Sequence, residues 1–340
     1  MDYKKAGVDI EAAQRSLERV KRMVSSTWSP GVISNLRQFA GLYRLNGGGY
    51  KNPVLVSSTD GVGTKLKIAF MLGRHSTVGQ DLVHHCANDI LVHGAKPLFF
   101  MDYLASSEIK SGVIQEVIGG LVKGCKEVGC SLIGGETAQL PGFYQPGEYD
   151  LAGFILGLVE REGIVDGSGI EAGDLIVGLA SNGLHTNGFS LVRKILLKDW
   201  KLDGYIDDLG STLGDELLRV HRHYGQIIYS LSSLGFRIKG MAHITGGGIE
   251  GNLSRIIPSG LVALIKKGSW EVPPIFKLIK KVGGVEEREM FRVFNMGIGF
   301  ILVVSPAILD KVLFHLKGQG QIAWQVGEIR EGDLKRVILE

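Results

Sequence analysis

An α/β fold in two domains is predicted from three observations. Short apolar runs end again and again in glycine-paired polar clusters, and amphipathic stretches follow them. The 340 residues hold 49 glycines and only 9 prolines, a balance that suits many tight strand-to-helix connections better than disorder. At that length the chain can fill two ordinary domains, each with its own core. The glycine- and acid-rich stretch Gly163-Ile-Val-Asp-Gly-Ser-Gly-Ile-Glu-Ala-Gly173 marks the boundary, giving domains of 1–167 and 168–340.

Charge and cysteine content exclude several classes. The 38 basic and 35 acidic residues leave a net charge of +3, spread without long runs of one sign, so a nucleic-acid groove is not expected. Cys86, Cys125 and Cys130 are odd in number and lack close pairing, which predicts buried free thiols instead of disulfides or zinc. The opening Met1-Asp-Tyr-Lys-Lys carries no apolar core for export, and no window approaches the roughly 18 apolar residues of a membrane span. A soluble, cytoplasmic protein is expected.

Residues Ile10 to Val24 have helical apolar spacing, with Lys21 on a polar face, and a glycine loop at 47–49 precedes the first core strand. That strand, Val54 to Val56, is expected to break into Ser57-Ser-Thr-Asp-Gly-Val-Gly-Thr-Lys65. Gly61 and Gly63 let backbone N–H groups approach an anion, Thr64 adds a hydroxyl and Lys65 a positive charge. Asp60 beside such a phosphate cradle calls for an intervening cation, and oxygen ligands favour Mg²⁺. The plain alternative is a tight connection with a surface lysine. The spacing is not that of a Walker A loop, so a P-loop NTPase is disfavoured.

A helix from Asp81 to Gly94 is expected to bury Leu82, Val83, Cys86 and Ile90 and to gather Asp81, His85, Asn88 and Asp89 on the other face. Asp89, near the C-terminal end of the helix dipole, would be relieved by a cation, making Asn88 and Asp89 candidate ligands. His84, His85 and His93 lack zinc spacing and are expected to be packed or surface histidines. A strand at Pro97 to Leu104 and a helix from Ile109 to Val128 follow. The next apolar run ends in Gly134-Gly-Glu-Thr-Ala138, where Glu136 takes the place of Asp60 in the first loop; the two acids facing one ligand is one reading, and Glu136 capping a helix or turn is the other. Leu151 to Val159 closes the first half.

The second half opens on a strand, Asp174 to Ala180, that feeds Ser181-Asn-Gly-Leu-His-Thr-Asn-Gly188 and a helix from Phe189 to Leu197. This is a second cradle, with the amides Asn182 and Asn187 and with His185 at a helix mouth that attracts anions. A third glycine cluster, Gly246, Gly247 and Gly248, is expected to precede a helix starting near Leu253. Gly246, Gly248 and Gly251 formally fit a dinucleotide fingerprint, but the strand before them is short and no acid follows at the required offset. A site for a ligand phosphate fits them better. Further elements are expected at Leu261 to Ile265, Ile275 to Val282, Phe291 to Val304 and Ala307 to Gly318.

Together these motifs resemble the phosphoribosylformylglycinamidine cyclo-ligase family nearly end to end, from Asp2-Tyr-Lys-Lys-Ala-Gly-Val-Asp-Ile10 through Thr59 to Leu66, Asn88-Asp89, Gly134 to Ala138, Ser181 to Gly188 and Ala242 to Gly248, to Phe294-Asn-Met-Gly-Ile-Gly299. The resemblance implies a homodimer whose N-terminal sheets join into a barrel-like core, with a C-terminal mixed sheet flanked by helices. It also implies use of ATP and Mg²⁺ to close formylglycinamidine ribonucleotide to aminoimidazole ribonucleotide. By the same resemblance Asp60 and Asp89 hold the metal, Lys65 faces the phosphates and Glu136 belongs to that cluster. Lys21 and His185 stand at the reacting amide, and Gly246, Gly247 and Gly248 take the ribose phosphate. Gln139 departs from the glutamate expected after Ala138. The nearest competing readings are a thiamine monophosphate kinase or selenophosphate synthetase type of phosphotransferase, and a nucleotide-binding scaffold without turnover.

Overall fold

Strand β1, Pro53–Gly61, shows at once how pairing overrides a local break signal. The polar run Ser57 to Gly61 does not leave the sheet, because β4, Tyr149–Glu160, pairs with it residue for residue from Pro53↔Glu160 to Gly61↔Ala152. The expected break after Val56 is therefore corrected to one after Gly61, where a single 3₁₀ turn, Gly63–Lys65, leads into helix Leu66–Leu72. The computed structural model describes residues 20–34, 38, 40–45, 49–108, 110–332 and 336–340, and divides them into two compact units, one ending at Glu162 and one beginning at Gly163, with Leu91–Gly94 counted in the second. Most of the expected helix from Ile10 lies outside the described residues, as does most of the 47–49 glycine loop; residues 20–25 are helical.

The first unit is built on a four-stranded sheet in the order β1-β4-β2-β3, with β2 at Lys96–Ser106 and β3 at Ser131–Gln139. Only β2 and β3 run parallel. One face is covered by helices Val78–Leu91 and Ser111–Val128, which approach closely through small residues: a Cβ on Gly124 would meet Val83 Cβ at 2.9 Å. The opposite face is left open, with Leu55 52% and Tyr103 44% exposed. The helix expected from Asp81 to Gly94 thus begins and ends three residues earlier, and Gly94 (φ 79°) stands beyond it.

The second unit carries a six-stranded sheet ordered β12-β9-β11-β5-β10-β8. Its strands are β5 Leu175–Ala180, β8 Ile238–His243, β9 Leu261–Ile265, β10 Ile298–Val304, β11 Ala323–Glu331 and β12 Val337–Leu339; a small hairpin joins β6 Tyr205–Ile206 to β7 Ser211–Thr212. Neighbours are antiparallel except β12 and β9. Every residue of β10 is buried, and Val177, Leu179, Phe300, Leu302 and Val304 share a core with Ile228 and Leu231 of helix Gly225–Ser233 and Val312 and Leu316 of helix Leu309–Gly318. Burial of that continuous apolar surface supplies the main drive for this unit. Strands and helices alternate in the chain, but the sheets are mixed, so the fold is the mixed α/β kind.

Two further expectations are corrected. Phe291 to Val304 is not one strand: Glu287–Val293 is helical and the chain turns through Met296 (φ 49°) and Gly297 (φ 99°) before β10. The helix expected to begin near Leu253 instead ends there, running Gly248–Leu253, because Asn252 Nδ2 donates back to Gly248 O at 2.8 Å and draws the glycine cluster into the helix. Gly247 (φ 96°) is the residue that caps its start. Gly248 (φ 64°) has no room for a side chain, since a Cβ would strike the Phe291 carbonyl.

Candidate active site residues in each unit

In the first unit β1 and helix Val78–Leu91 bring Asp60, His85 and Asp89 together. Asp60 Oδ2 lies 2.8 Å from His85 Nε2, which is 3.9 Å from Asp89 Oδ2. Asp60 also accepts from the Gly61 N–H at 2.6 Å, and Asp89 accepts from Ser58 Oγ at 3.0 Å. Burial disfavours charge on His85, yet the hydrogen bond to Asp60 and the carboxylates of Asp89, Asp60 and Asp81 raise its pKa above the ordinary imidazole value. For Asp60 burial acts upward, but the hydrogen bond and charge of His85 outweigh it and hold the carboxyl below its usual range. Two carboxylates thus share one imidazole, and their side chains stay partly exposed, by 44% and 29%. Hard oxygen donors of this kind suit a Mg²⁺ ion.

His85 is placed on this helix face by sequence reasoning but read there as a packed or surface histidine, with no site role. Its four-residue spacing from Asp89 on one helix was the available signal. Asn88 is fully buried beside it, so the helix face read as polar does not face solvent.

Lys65 requires a correction. It is neither a surface lysine nor an open cradle residue, because its Nζ turns inward to Asp81 Oδ1 at 2.9 Å with both side chains fully buried. Burial lowers its pKa and Asp81 opposes that fall. Gly63 (φ 68°) and Thr64 lie exposed on the turn above it, while Gly61 ends the strand.

Glu136 is not brought to Asp60 within the sheet. The polar run after Gly134 stays in β3 because β2 pairs with it through Ser106↔Gln139, so the expected loop is absent. β1 and β3 are opposite edges, three strand spacings or on the order of 14 Å apart. Asp60 is in register with Gly153, Asp102 and Gly135, whereas Glu136 aligns with Tyr103, Ala152 and Gly61, on the other face. Lys21, half-buried, lies in the helical residues 20–25, and Trp28 ties the following segment to β3 by donating from Nε1 to Leu132 O at 2.8 Å.

In the second unit the loop after β5 is pinned by amides. Ser181 Oγ donates to Asn295 Oδ1 at 3.0 Å, and Asn295 Nδ2 donates to Gly183 O at 2.9 Å. Asn182 Nδ2 donates to Val220 O at 2.8 Å. His185, only 2% exposed, is held at φ 59°, a left-handed conformation rarely adopted outside glycine. Gly188 (φ 81°) caps helix Phe189–Leu196.

The three glycines expected at a ligand phosphate do not share one environment. Gly246 and Gly247 form the exposed turn after β8, whereas Gly248 is buried as the first residue of its helix. A side chain at Gly247 would be strained by its positive φ, so the turn itself requires glycine there. Asn187 meets this turn, since a Cβ on Gly246 would lie 3.2 Å from Asn187 Oδ1. The second and third cradles are therefore one concentration of groups at the ends of β5 and β8. Buried His221 and His243 complete it; His185 stacks on His221 at 4.0 Å between ring centroids. Neither was predicted as a site residue, though His243 stands just ahead of the glycine cluster; the stretch around His221 has no local motif to announce it.

Comparison with known proteins places this arrangement in a class. Residues 40–159 match the family described as AIR synthase related protein, N-terminal domain, and residues 171–340 match its C-terminal domain. Phosphoribosylformylglycinamidine cyclo-ligases are similar at high identity. That of Thermoanaerobacter pseudethanolicus is 52% identical over 98% of both chains, and that of Thermodesulfovibrio yellowstonii is 51% identical over 99% of both. Solved structures with the same fold include thiamine-monophosphate kinase from Stenotrophomonas maltophilia, with a TM-score of 0.69 and 16% identity over 95% of each chain. Another is hydrogenase maturation protein HypE in complex with ATP, with a TM-score of 0.69 and 15% identity over 96% of this chain and 91% of that one.

Fold and site thus define an AIR synthase related protein of two domains. Within that class, the chain belongs to the phosphoribosylformylglycinamidine cyclo-ligase family.

Proposed function

We propose that the chain catalyses ATP-dependent ring closure of formylglycinamidine ribonucleotide to aminoimidazole ribonucleotide, releasing ADP and phosphate, a step of de novo purine biosynthesis. The observation that carries this reading is near-full-length identity of about half the residues with cyclo-ligases, 52% over 98% of the chain in one relative. The reading assigns residues 1–167 to nucleotide binding and dimerisation and 168–340 to substrate binding.

The first unit holds ATP by Gly61 at the end of β1 and by Gly63 and Thr64, whose exposed turn offers main-chain and hydroxyl groups to phosphates. Lys65 fixes that turn from beneath through Asp81. Asp60 and Asp89, with Asn88 beside them, hold Mg²⁺; the ion offsets the triphosphate charge when bound. His85 keeps Asp60 ionised and aimed. Glu136 belongs to the nucleotide-binding group with less direct support, since it stands at the far edge of the sheet.

In the second unit Asn182, Asn187 and the turn of Gly246, Gly247 and Gly248 grip the substrate. The exposed Gly246 and Gly247 offer main-chain N–H groups to its ribose phosphate, and the buried Gly248 shapes the turn behind them. His185 and Lys21 act on the formyl amide. The γ-phosphoryl group passes to the amide oxygen, which makes that oxygen a good leaving group; the neighbouring nitrogen attacks the same carbon, and phosphate departs with the oxygen. Protons leave from nitrogen, and the buried imidazole of His185 is suited to guide them.

The open face of the four-stranded sheet, where Leu55 and Tyr103 are exposed, supports a homodimer formed through that sheet. Its ligands are soluble metabolites, which supports a cytoplasmic setting; among the described residues no helix is long and apolar enough to cross a membrane. A kinase reading rests on fold likeness at 16% identity alone.

Purified protein given ATP and Mg²⁺ should release ADP only when formylglycinamidine ribonucleotide is present, with aminoimidazole ribonucleotide in equal amount. ADP release driven by thiamine monophosphate or selenide would replace this function with a phosphotransferase, and nucleotide binding without product would leave a scaffold.

A further inference from the structure

We propose that His185, His221 and His243 form a binding site for one divalent transition ion of the zinc class. The site stands on its own geometry and does not rest on the ring-closure reading. One ring nitrogen from each histidine lies within 4.8 Å of the other two, and all three side chains are buried.

The strongest sign is the meeting of His221 Nε2 and His243 Nε2 at 2.9 Å. At that distance one ring donates N–H to the other's lone pair, so the two Nε2 atoms already converge on one point, and an ion that displaces the shared hydrogen meets two ligand nitrogens there. His221 Nδ1 lies 3.3 Å from Thr186 Oγ1. When that hydroxyl accepts from Nδ1–H, the tautomer is fixed with the Nε2 lone pair turned toward His243. Histidine ligands to metals are held in this way, through a hydrogen bond on the second ring nitrogen.

The backbone prepares the remaining ligand. His185 is fixed at φ 59° on the loop after β5, and Gly299 of β10 leaves space at its ring: a Cβ there would lie 2.6 Å from His185 Cε1. His185 and His221 now stack with an interplanar angle of 20°. Metal binding therefore requires the His185 ring to swing off its neighbour, and His221 and His243 to part by a few tenths of an ångström, since Zn–N bonds of about 2.0–2.1 Å set tetrahedral nitrogens roughly 3.3 Å apart. Imidazole nitrogens as ligands select Zn²⁺, Co²⁺, Ni²⁺ or Cu²⁺ over Mg²⁺.

The full chain, stripped with a chelator, should be titrated with Co²⁺ alone, without nucleotide or substrate. One ion per chain with the visible bands of imidazole-bound cobalt is expected. His221→Gln should abolish those bands while Asp60→Asn, in the other unit, retains them. Thr186→Val should weaken uptake about 10-fold, as loss of a hydrogen bond behind a ligand does. Absence of the bands in the unaltered protein, or their survival in His221→Gln, would overturn the site. Should His221→Gln fail to fold by circular dichroism, unchanged affinity in Thr186→Val would overturn it equally.

Discussion

Asp60 of β1 and His85 of helix Val78–Leu91 meet at 2.8 Å, joining an edge strand to the helix that covers it. The contact keeps Asp60 ionised and leaves its other side partly open. Asp60→Asn conserves shape but removes the charge on which the proposed metal–triphosphate site relies. Turnover should fall by about two or more orders of magnitude, in line with loss of a charged electrostatic partner in catalysis, while circular dichroism and the thermal midpoint change little. Near-normal turnover would remove Asp60 from the site.

Asp102 leads to a pH dependence. Burial, with Glu136 adding repulsion, raises its pKa from 3.8 to about 7, against backbone hydrogen bonding that acts downward. A group whose folded pKa lies above its unfolded value stabilises fully below the unfolded pKa, and that contribution is lost as pH rises through the folded one. Stability should therefore decline between about pH 4 and pH 7 on this account, by at most on the order of 4 kcal/mol. Denaturant melts of Asp102→Asn across that range should show the slope flattened and the variant gaining on the parent toward pH 8. Parallel curves for the two proteins would contradict the assignment.

Lys65 and Asp81 form a fully buried pair. Lys65→Met leaves the Asp81 charge in the interior, and such a loss costs about 3–5 kcal/mol. The double variant Lys65→Met/Asp81→Leu should regain much of that, because neither charge then needs a partner. Urea unfolding of the single and double variants checks this; equal destabilisation would show that the pair is not coupled.

Gly299→Ala tests the packing behind His185. A Cβ at this position would collide with Tyr224 Oη, itself fixed by a 3.0 Å hydrogen bond to Ala180 O, and would crowd His185 Cε1. The variant should lose about 1–3 kcal/mol from overpacking, and, on the proposed role of His185 at the reacting amide, its kcat should fall more than its KM rises. A stable, fully active variant would show that the ring has room to spare.

Much of this was legible in the sequence because local signals and tertiary structure agree there. The strand Leu261–Ile265 lies where its apolar run places it, and Gly188 caps the helix that follows the second cradle. The misreadings share a cause. Asp60 and Glu136 both follow apolar runs and stand beside paired glycines, yet long-range pairing carried both strands onward and set the acids at opposite edges. Gly135 looks like a phosphate-loop glycine, but it is needed because a Cβ would run into Asp102. Gly246, Gly247 and Gly248 look interchangeable in sequence, and only the packing of Phe291 against the last of them separates a buried helix start from an exposed turn. Lys65 announced a charge without showing the direction in which it points. His221 had no motif at all, and only the fold brings it to His243.

Activation of the substrate's formyl amide oxygen by ATP, as a phosphate leaving group, is tested most directly with formylglycinamidine ribonucleotide labelled with ¹⁸O at that oxygen. The phosphate released in one turnover is then weighed. Each phosphate should carry one ¹⁸O from the amide, with ADP and aminoimidazole ribonucleotide formed in equal amount. Unlabelled phosphate accompanying the same ring closure would contradict the account.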